Sequence, residues 1–197
     1  MLRDFHALAF TALPSPVGYA QPTQAVPDQV TLDSPAADVM TDLTRVAGVI
    51  ILSGDGIEEA HRRMIQRGVR LLLVVDQDRK LQGVITATDV LGEKPVQVVV
   101  ARGIRRDEVQ VRDIMTPRER LQVLDMDQVR GAKVGHIVAT LKQASRQHTL
   151  VADRDEKRNV RLRGIFSATQ IARQLGVSIQ TSAVANTFSE IEAQLAR

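Results

Sequence analysis

The chain has no cysteine and no tryptophan, a single tyrosine and only 3% aromatic residues over 197 positions. Without thiols there are no disulfides, no thiolate nucleophiles and no thiolate-held zinc, and a reducing compartment is favoured. So few rings leave little for bases to stack on, which weakens a nucleic-acid reading of the formal charge of +3. The basic residues are interleaved with acids. Their densest groups, Arg102/Arg105/Arg106 and Arg154/Lys157/Arg158/Arg161/Arg163, read as solvated faces or loops, the second in a hairpin turn. No apolar run approaches the length needed to span a bilayer, so no membrane partner is expected. The histidines, His6, His61, His136 and His148, show no metal-ligand spacing, and neither a Walker loop nor a Gly-x-Ser-x-Gly signature occurs. Neither a metal cofactor nor catalysis is expected.

Hydrophobic residues make up 44% of the chain, enough to bury one core or two small ones sharing an interface. Five of the 7 prolines (Pro14, Pro16, Pro22, Pro27, Pro35) lie in the first 35 residues, so the chain is expected to start as an extended, irregular arm over 1–29. The run Ala7 to Leu13 is apolar, but Arg3 is cancelled by Asp4, and Pro14 and Pro16 follow at once. A cytoplasmic arm fits better than a secretory signal.

Three phrases occur twice, in the same order. Asp38-Val39-Met40-Thr41 matches Asp113-Ile114-Met115-Thr116. Leu71 to Asp76 matches Thr149 to Asp153. Gly83-Val84-Ile85-Thr86-Ala87-Thr88-Asp89 matches Gly164-Ile165-Phe166-Ser167-Ala168-Thr169-Gln170. Ordered matches of this kind mark an internal duplication, which governs the fold.

Each copy reads as strand, helix, strand, strand, helix behind a leading segment. Ile57, Ala60, Met64 and Ile65 recur at helical spacing, with Asp55 as cap and Gly68 as stop. Leu71–Val75, the turn 76–80 and the strand Gln82–Ile85 form a hairpin, and Thr86 opens a short helix that Gly92 ends. In the second copy Val134, Ile137, Val138, Leu141 and Ala144 make the helical face, Thr149–Ala152 and Arg163–Phe166 the strands. Its hairpin loop is expected to be longer, and Ser167 opens its last helix. Residues 93–112, rich in valine among basic residues, read weakly as helix. The fold class is α/β (α+β).

These marks, above all Gly-hydrophobic-x-Thr-x-x-Asp at 83–89, resemble a tandem pair of cystathionine-β-synthase (CBS) domains, a Bateman module. The resemblance covers about residues 30–178. It implies two CBS repeats, each a small sheet with two helices, packed about a pseudo-two-fold axis. The expected divisions are repeat one over 30–92, a linker over 93–110, repeat two over 111–178 and a helical tail over 179–197. In the tail Thr187 and Glu190 read as a capping box, and Phe188, Ile191 and Leu195 form one apolar stripe.

A strand turning into a helix aims free N–H groups at its corner, which suits a phosphate. Thr86 adds a hydroxyl there, and Asp89 offers a carboxylate able to accept from both ribose hydroxyls. By the resemblance, such residues hold an adenine nucleotide (AMP, ADP or ATP), with Val84, Ile85 and Ile50 as the adenine wall and Arg70 in reach of phosphate. Thr86/Asp89 and Ser167/Gln170 equally satisfy the residue pattern of a helix capping box. For Ser167/Gln170 the cap is the favoured reading, since a neutral amide is a poorer clamp for a diol, and that site is expected to be empty or altered. His148 starts a strand at the position of Leu71, where a surface or core role is favoured over lining the cleft.

The expected protein is a cytoplasmic, non-enzymatic sensor, a homodimer acting on an unidentified protein partner. The alternatives are a ligand-free interaction scaffold and, more weakly, a nucleic-acid-binding protein.

Overall fold

The computed structural model describes residues 24–155 and 157–177. The expected arm up to residue 23 and the tail stripe lie outside the described residues. Two four-stranded sheets carry the architecture. The first holds β2 (Ile50–Leu52), β3 (Leu71–Val75), β4 (Leu81–Thr86) and β5 (Thr116–Pro117) in that order. The second holds β1 (Met40–Asp42), then β8 (Val160–Ser167), β7 (His148–Arg154) and β6 (Val123–Asp125). The pairs β2·β3 and β6·β7 are parallel and the rest antiparallel.

The leading segments cross over. β1, from the entry phrase of the first copy, pairs with β8 of the second, and β5, from the entry phrase of the second, pairs with β4 of the first. This crossing explains the glycine that opens each repeated phrase. A Cβ on Gly83 would stand 2.3 Å from the Thr116 carbonyl oxygen, and one on Gly164 would stand 2.4 Å from Met40 Sδ. Only a residue without a side chain lets the foreign strand approach so closely.

Helices cover the outer face of each sheet. On the first lie α1 (Ile57–Arg67), α2 (Ala87–Leu91), α3 (Lys94–Arg102) and α4 (Val111–Ile114); on the second α5 (Met126–Arg130), α6 (Val134–Gln143) and α7 (Ala168–Gln174). β3 is buried on both faces and so reads as an unbroken apolar run. Leu72 and Val74 point into the core against α1 and α2, while Leu71 and Leu73 point the other way, to meet Val84 and Leu150 between the sheets. The second core gathers Met40, Leu141, Phe166 and Ile171. Fully burying a side chain such as Leu72 or Phe166 stabilises by about 1.5–3 kcal/mol.

Several local expectations need correction. Ile65 faces solvent, because Ile57, Ala60 and Met64 already fill the buried stripe of α1. Asp55 does not cap α1. Its carboxylate accepts from the Leu52 amide at 3.2 Å, and Gly56 occupies the cap position. The second hairpin has no longer loop: both turns span five residues, 76–80 and 155–159, and the extra length lies in β7 and β8. Arg154 and Arg161, expected in the turn, are therefore strand residues, and Arg163, in its strand as read, places its guanidinium on Asp42. Residues 94–102 are helical, as read. No helix among the described residues is long and apolar enough to cross a membrane.

Candidate functional site

The crossing of the leading strands creates two clefts between the repeats. Each is bordered by the corner where a long strand turns into a helix. The smaller, about 290 Å³, is lined by Val84, Thr86, Thr88 and Asp89 of the first corner with Thr116, Arg120 and Arg146. The larger, about 820 Å³, is lined by Ile165, Ser167, Thr169 and Gln170 of the second corner with Thr41, Val49 and Arg70. Leu71 and His148 line both and stand between them.

In the smaller cleft the capping box forms in full. Asp89 Oδ2 accepts from the Thr86 amide at 2.8 Å and from Thr86 Oγ1 at 2.7 Å, while the Asp89 amide donates to Thr86 Oγ1 at 3.3 Å. The remaining oxygen, Oδ1, is 2.5 Å from Lys94 Nζ, which also donates to the Ile114 carbonyl at 3.1 Å. A ribose would have to displace that lysine before Asp89 could hold it. Arg146, on the same lining, donates to Gln122 at 2.6 Å.

The larger cleft is differently made. Ser167 makes no side-chain cap hydrogen bond, so the cap expected there is absent. The physical reason is that Gln170 turns away from the helix end: its Oε1 accepts from Thr41 Oγ1 at 3.4 Å and its Nε2 donates to Gln174 Oε1, also at 3.4 Å. Arg70 lines this cavity and not the smaller one. Its Nε is buried with no hydrogen-bond partner. Arg173, one turn beyond Gln170, is on the rim. Among the described residues neither guanidinium has an acceptor and no carboxylate lines the cavity. Burial, with the positive charge of Arg70 added, lowers the His148 pKa from 6.5 to about 4, leaving a neutral imidazole.

Of the expected adenine wall, only Val84 borders a cleft. Ile85 is fully buried toward the helices, because neighbours in a strand face opposite ways, and Ile50 packs in the apolar cluster between the sheets. Sequence reasoning missed Arg173, whose spacing from Gln170 was the available signal, and ranked His148 as surface or core.

The sequence profile of the CBS domain family matches residues 36–95. A structure of CBSX2, a CBS-pair protein of Arabidopsis thaliana, in complex with AMP, aligns with 83% of this chain and 99% of its own, at 17% identity and a TM-score of 0.50. The fold is that of a CBS-domain pair. An uncharacterized conserved protein from Pyrococcus horikoshii shares it, aligning over 78% of this chain and 100% of its own at 20% identity, TM-score 0.53. No curated protein matches the chain in sequence. The larger cleft belongs to the corner that carries Gln170, the counterpart of Asp89 in the repeated phrase.

Proposed function

We propose that this CBS pair is a non-catalytic cytoplasmic sensor that binds an anionic adenosine-type ligand in the larger cleft and passes a change of shape to a partner. The observation that carries this reading is the cavity of about 820 Å³ with Arg70 and Arg173 on its lining and, among the described residues, no partner for either guanidinium and no carboxylate beside them. A buried guanidinium nitrogen without an acceptor is costly, and a phosphate would supply the missing oxygens. Val49, Leu71 and Ile165 give the same cavity an apolar side for a base. The AMP complex of CBSX2 supports the ligand class.

Calorimetry with AMP, ADP and ATP on the intact chain is expected to show binding that Arg70→Ala weakens about tenfold or more, the worth of a charge-assisted contact. Asp89→Ala is expected to change affinity little. A loss at Asp89 as large as that at Arg70 would move the site to the smaller cleft. Binding by none of the three nucleotides would remove the sensor reading.

The output surface we assign to the outer helices of the first repeat, where Ile65, Leu91, Val96 and Val100 stand 57–77% exposed. An apolar face of this kind supports a homodimer. Sedimentation is expected to return a dimer that Val100→Glu dissociates. An intact chain that stays monomeric at micromolar concentration would end the dimer proposal.

A further inference from the structure

Gln170 stands where the first repeat has Asp89, and Arg173 follows it one turn later on the lining of the larger cavity. The exchange reverses what the ribose end of the cleft can hold. A carboxylate accepts hydrogen bonds from a cis-diol and repels phosphate; an amide N–H with a guanidinium nearby does the opposite. Dinucleotide sites use the same contrast, with an acid for a free ribose hydroxyl and an arginine for a ribose phosphate.

Other observations point the same way. The cavity's two cations are on opposite walls, Arg70 at the head of β3 in the first sheet and Arg173 on α7 against the second. Neither is neutralised by a described residue, so the cavity offers two separate places for negative charge. The hydrogen bonds that hold the Gln170 amide are long, 3.4 Å on each side, and its N–H can be redirected to a ligand oxygen at little cost. Ser167, free of any cap bond, adds a further donor.

We propose that the larger cavity selects an adenosine-type ligand carrying phosphate in two places, at the 5′ position and at the ribose 2′ or 3′ position, over one with a free ribose diol. This rests on the adenosine reading above. Arg70 and Arg173 each take one phosphate, and Gln170 and Ser167 donate to the ribose side.

Titration calorimetry of the intact chain with AMP, adenosine 3′,5′-bisphosphate and adenosine 2′,5′-bisphosphate tests the selection. One bisphosphate is expected to bind about tenfold or more tightly than AMP. Arg173→Gln, a rim substitution that leaves the core untouched, is expected to cost that bisphosphate more than it costs AMP, and Gln170→Asp to invert the preference. AMP binding as tightly as either bisphosphate would overturn the selection and leave the adenosine reading standing, as would a preference that Arg173→Gln does not reduce. Failure of all three ligands, and of ADP and ATP, to bind would overturn both.

Discussion

Asp42→Ala is expected to lower stability by about 3 kcal/mol, the scale of a buried ion pair broken on one side with some relief from the partial exposure of its partner. Asp42 is 5% exposed. Its two oxygens accept from Arg163 Nε at 3.0 Å and Nη2 at 2.8 Å, and Oδ1 also takes the amide and hydroxyl of Thr44 at 2.9 and 2.7 Å. Removing the carboxylate therefore leaves a half-buried guanidinium unpaired and opens the turn after β1, which is the joint between the first leading segment and the second sheet. For a domain of this size the melting temperature should fall by roughly 6–12 °C. Arg45, 3.7 Å from the same carboxylate but 63% exposed, serves as the comparison, since Arg45→Ala should cost almost nothing. A melting temperature unmoved by Asp42→Ala would show that the pair does not hold the joint.

The Arg163 hydrogen bonds, with those of Thr44, hold the Asp42 carboxyl well below its ordinary 3.8. A depressed carboxylate contributes its stability above that ordinary value, and the contribution is lost only as pH falls below it toward the folded pKa. His148 acts in a different window. Its pKa of about 4 against an ordinary 6.5 means that the unfolded chain takes up a proton before the folded one does, so stability is full above pH 6.5 and declines as pH falls toward 4. The loss amounts to about 3 kcal/mol at most. The charged groups around the ring keep this sign: Arg70 and Arg173 line the larger cleft, and Arg120, Arg146 and the lysine-paired Asp89 line the smaller one that His148 also borders. His148→Leu, which copies its counterpart Leu71, is expected to flatten the stability curve between pH 6.5 and 4 while leaving the acid limb below 4 in place. Thermal melts across that range read both limbs; an unchanged upper limb in the variant would clear His148 of the effect. A bound phosphate beside Arg70 should offset the repulsion on the ring and shrink the same loss.

The repeated phrases made the fold legible, because a strand-to-helix corner stated twice in matching order leaves few architectures open. They did not show what the phrases touch. Gly83 and Gly164 are recognisable as a pair, but their cause is a strand arriving from the other half of the chain, and no local pattern records that arrival. The ends of β7 and β8 were missed for a related reason. Arg154 and Arg161 carry charge where alternation would announce a strand, and the partner of Arg163, Asp42, is 121 positions away. At the candidate site, composition could name Thr86 and Asp89 but not Lys94, which reaches back from the next helix to occupy the carboxylate. The unpaired state of Arg70 is likewise a property of the assembled cleft, whose described lining is neutral or positive throughout.

The crossed leading strands also decide whether one repeat could stand alone. A single unit of this design would have no strand of its own to lay along its long hairpin at the glycine, and its sheet would end in an open edge. Two such units could each lend the missing strand to the other, as protomers do when they swap an element. In the tandem chain that exchange runs inside one molecule, and the two clefts lie along the seam it makes. Neither half can complete its sheet without the other, so the two corners, though they differ at Asp89 and Gln170, are held to one common frame.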